Sequence, residues 1–137
     1  MMRTIHQAVC NALWEYAMKQ GHNEVCGYLL LDPELVGDGV YGTIIITPNL
    51  AEDPTKEFWL HPEEFAEYRS RYAGLAIWHS HPYGRWDLSR ADRKLMVETQ
   101  VPMAVVAWQP YPSVTLYVIE AGQIRAEAQY QVEGVTV

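Results

Sequence analysis

Apolar residues recur at helical spacing through the first twenty positions. Ile5, Val9, Leu13 and Tyr16 form one stripe, with Cys10, Ala12 and Ala17 beside it. This predicts an amphipathic helix that stops near Gly21. The rhythm changes at Val25–Leu31 (V-C-G-Y-L-L-L), a continuous apolar run of strand length, as expected for a strand buried on both faces. Asp32–Gly42 carries Pro33, Gly37, Asp38, Gly39 and Gly42 and predicts a loop or hairpin turn. Tyr41–Thr47 is β-branched and predicts a second strand, ended by Pro48. Asn49–Thr55 reads as loop and Glu57–Leu60 as a short strand. Pro62 fits the first turn of a helix bearing Phe65, Tyr68, Arg69 and Tyr72. Leu75–His79 predicts a short apolar strand, Ser80–Leu88 a loop, and Ser89 the start of a helix running to about Gln100. Val101–Trp108 and Val114–Glu120 predict a hairpin. Ala121-Gly122 then turns the chain into a more polar strand, Gln123–Val132. Hairpins interleaved with helices predict an α/β (α+β) fold, a mixed β-sheet with helices packed on it.

Composition narrows the function classes. The 137 residues are 49% hydrophobic and 20% charged, and the expectation is one domain over residues 1–137. Ten basic residues against seventeen acidic ones give a net charge of −7, which argues against nucleic acid as the main partner. No apolar stretch reaches the roughly 18–20 residues that span a membrane. Arg3, His6, Glu15 and Lys19 interrupt the N-terminal stripe, so it does not read as a signal peptide. Cys10 and Cys26 form no C-x-x-C pair and are expected to be buried free thiols in a reducing, cytoplasmic compartment.

The candidate chemistry lies in Trp78–Asp92, W-H-S-H-P-Y-G-R-W-D-L-S-R-A-D. His79 and His81 are two residues apart at a predicted strand end, where i and i+2 face the same way. Two imidazoles so placed can reach one zinc ion, and Asp92 in the first turn of the next helix supplies a third ligand. Three protein ligands leave a fourth position open, the catalytic pattern. Ser89 stands one turn before Asp92, where its hydroxyl can face that position. Ser89-x-x-Asp92 taken alone also reads as a capping box with Asp in place of Glu. Glu24, bordering the most apolar strand, is the candidate proton-transfer residue, because partial burial raises a carboxyl pKa. His22-Asn23-Glu24 also matches the H-x-E of nucleotide deaminases, but the P-C-x-x-C which that class requires is missing. No H-E-x-x-H, G-x-S-x-G or phosphate-binding glycine loop occurs. Tyr83, Arg85 and Trp86 lie between the candidate ligands. Tyr83 and Trp86 are candidate substrate-binding residues, or simply pack the loop onto the domain.

Glu24, His79-Ser80-His81-Pro82, seven residues and then Ser89-x-x-Asp92 resemble the JAMM signature of MPN-domain metalloproteases. Glu24-Val-Cys-Gly-Tyr-Leu-Leu resembles that family's first core strand with its leading Glu. The resemblance implies an MPN/JAB fold of the cytidine-deaminase-like type and a zinc hydrolase of peptide or isopeptide bonds. In such proteins the bond often lies at the C-terminus of ubiquitin or a ubiquitin-like protein. It further implies His79, His81 and Asp92 as zinc ligands, Glu24 as general acid/base and Ser89 as water or oxyanion holder. Asn49-Leu-Ala-Glu-Asp-Pro, Phe58-x-Leu-His-Pro-Glu and Leu88-Ser-x-Ala-Asp-Arg are similar to the N-terminal JAMM half of tail assembly protein K of tailed phages. Stand-alone prokaryotic JAMM proteins are similar too. In the phage proteins an NlpC-type cysteine peptidase usually follows. The implied partners are a protein or peptide substrate, such as a ubiquitin-like tail, and tail-assembly proteins, in the cytoplasm of a bacterium or infected host. The MPN fold also occurs as a metal-free scaffold, which makes a binding module in tail assembly the alternative function. A zinc hydrolase of small amides is a third.

Overall fold

The computed structural model describes residues 2–34 and 39–134. Within the predicted 32–42 loop, residues 35–38 lie outside the described residues. Seven strands and three helices appear among those described: β1 (Thr4–Ile5), α1 (Gln7–Met18), β2 (Cys26–Leu31), β3 (Val40–Thr47), α2 (Pro62–Arg71), β4 (Ala76–Arg85), α3 (Arg90–Thr99), β5 (Met103–Gln109), β6 (Ser113–Glu120) and β7 (Gln123–Gln131). The strands form one sheet in the order β1-β3-β2-β4-β5-β6-β7. β4–β5 and β1–β3 are parallel and the remaining pairs antiparallel. The expected mixed sheet with packed helices is therefore present.

The central strands of the sheet are buried on both faces. Leu29, Trp78, Ala104, Val106 and Leu116 pack against Val9, Leu13, Trp14 and Ala17 of α1. Tyr28, Ile77, Met103 and Val105 face the other way, toward Met96 and Leu95 of α3 and Phe65 and Tyr68 of α2. This double burial explains why β2 and β5 read as unbroken apolar runs. Gly27 is required where β2 passes between β3 and β4. A Cβ there would lie 1.9 Å from the Ile45 carbonyl oxygen and 2.7 Å from the Trp78 indole nitrogen, which itself donates to that oxygen at 3.0 Å.

Three expectations need correction. Ile5 is buried but belongs to β1, pairing with Tyr41. The helix starts only at Gln7, with His6 as its cap. Period alone cannot detect a strand of two residues in line with a helical stripe. Glu57–Leu60 is not a strand: the Trp59 carbonyl takes the Leu50 amide, and the Asn49 side chain takes the neighbouring backbone groups. β4 continues through Arg85 where a loop was expected from Ser80. It passes Pro82 by a register shift against β5 between His81 and Arg85, with Tyr83 at φ 59°. Cys10 and Cys26 are free and buried, and burial pushes both thiols up to about 12, which keeps them protonated and unreactive.

Candidate metal centre and groove

The centre forms where β4 passes the start of α3. Strand alternation sends Trp78 and Ser80 to the α1 side, and Ile77, His79 and His81 toward α3. Ser80 is fully buried, and its hydroxyl accepts from the Val25 amide at 3.0 Å, tying β4 to the segment after Glu24. His79 and His81 thus enter from one strand face. Their Nε2 atoms stand 3.0 Å apart.

Asp92 completes the cluster. One carboxylate oxygen is 3.1 Å from His79 Nε2 and the other 3.1 Å from His81 Nε2. The second oxygen also accepts from the Ser89 amide at 2.9 Å, while Ser89 Oγ accepts from the Asp92 amide at 3.0 Å. The capping box and the three-residue cluster are therefore the same structure. Ser89 Oγ accepts there and keeps its hydroxyl proton to donate elsewhere.

The donor set fits a cation. Ligands held at about 2.0–2.1 Å around one tetrahedral ion stand roughly 3.3 Å apart, close to the separations here. His81 Nδ1 lies 2.9 Å from the Arg85 carbonyl oxygen, which can only accept. That bond holds a ring proton on Nδ1 and turns Nε2 to the cluster, where a metal would displace any second proton and take the lone pair. Desolvation holds the His79 pKa below the usual histidine value, against the pull of Asp92. Burial pushes the Asp92 carboxyl upward but is outweighed by His79 and His81, so it stays well below the carboxylate range. At neutral pH His79 is therefore a neutral imidazole beside the Asp92 carboxylate, the protonation states a metal needs from these two residues. For His81 burial acts downward, but the Asp92 and Arg85 hydrogen bonds dominate and raise it. His79 Nδ1 is buried with no hydrogen-bond partner among the described residues. The ring is held instead by stacking on Phe58, with centroids 4.3 Å apart.

Glu24 faces this cluster from the segment before β2. Glu24, His79 and His81 offer ligand atoms that all lie within 4.8 Å of one another, a group that could hold a metal ion. Burial pushes the Glu24 carboxyl up to about 7, with His81 pulling down and Asp92 and Glu57 pushing further up. A carboxyl near 7 exchanges protons readily at neutral pH. His22, two residues earlier, points elsewhere: it is exposed and its ring lies tilted against Tyr83, with centroids 4.7 Å apart.

A groove of about 700 Å³ opens over the centre, with Glu24, His81, Ser89 and Asp92 on its floor and Trp59 and Leu95 on its walls. An apolar cavity of about 580 Å³ continues from it past Leu50, Leu60 and Phe65. Tyr83 and Trp86 do not line the groove. Tyr83 packs at a tilt between His22 and Trp108. Trp86 packs on the α3-side core, and its carbonyl accepts from Tyr117 Oη at 2.6 Å. Of the loop residues singled out in the sequence, Arg85 reaches the groove. The aromatic wall is Phe58-Trp59, which sequence reasoning placed in a strand. The signal was Trp59 itself, which stands between Phe58 and Leu60 inside the Phe58-x-Leu-His-Pro-Glu stretch.

A mixed sheet with a two-histidine, one-aspartate cluster between a central strand and the next helix defines a JAB/MPN-type domain. The chain belongs to the prokaryotic homologues of the JAB domain, which it matches over residues 6–120. It is similar to the tail tip assembly protein K of Escherichia phage N15, at 35% identity over 60 residues. That stretch is 44% of this chain and 25% of the phage protein, so the chain spans about a quarter of that relative's length. The fold is similar to a protein of Desulfitobacterium hafniense solved in solution, with a TM-score of 0.67, 21% identity and coverage of 92% and 90% of the two chains. A Salinibacter ruber protein gives 0.56 at 16% identity over 93% and 89%.

Proposed function

We propose that this chain is a zinc-dependent peptidase or isopeptidase, with His79, His81 and Asp92 as the metal ligands. The observation that carries this reading is their convergence at 3.0–3.1 Å beneath an open groove, whose floor His81, Asp92 and the raised Glu24 carboxyl share. Zinc bound there would polarise a carbonyl and bring the pKa of a water to about 7. Glu24, titrating in the same range, accepts the proton of the attacking water and returns it to the departing amine. Ser89, whose proton remains free to donate, holds the carbonyl oxygen as it gains negative charge. The Arg85 carbonyl behind His81 accepts the Nδ1–H of that ring and so turns its Nε2 to where a metal would bind.

The open groove suits an extended chain, and the proposed substrate is a protein or peptide tail, ubiquitin-like or from a phage tail protein, met in the cytoplasm. A second reading, a binding module in tail assembly, is favoured by one observation: the phage N15 relative is a tail tip assembly protein. Zinc analysis of protein purified without added metal separates the two. About one equivalent supports the hydrolase. Less than about a tenth, not restored by adding zinc, supports the scaffold. Glu24→Gln should then keep zinc and lose cleavage across a panel of tail-extended ubiquitin-like proteins and tail-protein precursors, run with and without chelator. Undiminished cleavage by that variant sinks the assigned role.

A further inference from the structure

Asn49 is the first residue of the loop that walls the groove, and its side-chain amide is fully engaged. Nδ2 donates to the Glu24 carbonyl at 2.9 Å and to the Glu57 carbonyl at 3.0 Å. Oδ1 accepts from the Ala51 amide at 3.0 Å and from the Trp59 amide at 3.0 Å. The orientation of the amide is forced, since carbonyls can only accept and backbone N–H groups can only donate. The same loop returns a bond of its own, as Pro54 accepts the Glu24 amide at 2.7 Å. Both backbone groups of Glu24 are therefore held by residues 49–54. The segment Glu57–Trp59, which carries Phe58 against the His79 ring, hangs from the same side chain.

We propose that Asn49 is the positioning residue of this site, holding Glu24 and the Phe58-Trp59 wall as one unit over the His79-His81-Asp92 cluster. This rests on the reading of Glu24 as the proton-transfer residue. Only a carboxamide combines two donors with an acceptor at one point. Asp at this position keeps the acceptor but loses both donors, and faces two carbonyls with a negative charge. Gln extends the amide by a methylene and shifts all four contacts.

The test is amide hydrogen exchange by NMR on the 137-residue chain with zinc added, for the parent, Asn49→Asp and Asn49→Ala. Local opening and global unfolding are distinguishable in this measurement, because each amide reports its own route to exchange. In Asn49→Asp the Glu24 amide should exchange about tenfold faster, while Ala51 and Trp59, whose acceptor survives, change little. In Asn49→Ala all three should accelerate. Val105 and Val106 at the sheet centre should hold their parent rates in both, and zinc stoichiometry should be unchanged. Parent-like exchange at Glu24 in both variants overturns the proposal, as does acceleration at Val105 and Val106 by the same factor as at Glu24. Glu24→Gln, measured in parallel, should keep parent exchange at Ala51 and Trp59. Its turnover reports separately on the role of the carboxyl, so a failed clamp and a failed base give different results.

Discussion

Asp92 serves two structures at once. One oxygen caps α3 through the Ser89 amide and faces His81, while the other faces His79. Removing the charge should therefore be felt twice. Asp92→Asn should lose zinc on dialysis and lower thermal stability, read by metal analysis and calorimetry. Ser89→Ala removes only the cap acceptor and the free hydroxyl. It should keep zinc, cost about 1 kcal/mol of stability in urea unfolding and slow turnover by a factor worth a few kcal/mol. Glu24 adds a pH dependence of known sign. Its folded-state pKa, about 7, lies above the ordinary value of 4.5. Protonated Glu24 thus favours the fold below about pH 4.5, and that contribution is lost as pH rises through 7. In chelator-treated protein the parent should lose stability relative to Glu24→Gln between pH 5 and 8, by roughly 1–2 kcal/mol after discounting for solvent screening. Urea midpoints across that range check it, and parallel curves for the two proteins would count against the shift.

At the scale of the element, β2 is constrained by what crosses it. The Trp78 indole reaches across Gly27 to the Ile45 carbonyl, leaving no room for a side chain. Gly27→Ala must displace either backbone or a fully buried Trp. It should destabilise by about 1–3 kcal/mol or more, measured as a lower urea midpoint. Helix α3 offers the reverse. Its C-cap residue Gln100 has φ 58°, in the left-handed region. Gln100→Gly removes that strain and should stabilise by up to about 1 kcal/mol, less what the Gln100 bond to the Val97 carbonyl contributes.

At the scale of the whole molecule, the candidate site residues join separate parts of the chain. His79 and His81 come from a central strand, Asp92 from the next helix and Glu24 from the approach to β2. In the unfolded chain these groups are not assembled, so zinc should bind the native state and raise Tm in a concentration-dependent way. Scanning calorimetry with zinc titrated in, then removed by chelator, checks this. A Tm insensitive to zinc would argue against an assembled site. The described helices contain none long and apolar enough to cross a membrane.

Much of this was legible in the sequence because it depends on short-range geometry. The i, i+2 spacing of His79 and His81 places both rings on one strand face, and Ser89-x-x-Asp92 caps a helix wherever one starts. The buried runs of β2 and β5 show in composition, because a strand covered on both faces has no polar positions to spare. Other features depend on contacts between distant segments. β1 is too short to carry a period and exists only through its pairing with β3. β4 runs past Pro82 only because β5 takes it up again at Arg85. The aromatic wall is Phe58-Trp59, and not Tyr83 and Trp86, because Asn49 folds residues 50–59 back over the site. The sequence by itself determined which side chains are able to meet a metal. Only the tertiary structure decided which residues surround them and how far Glu24 is buried, since burial and long-range hydrogen bonds are properties of the packed chain.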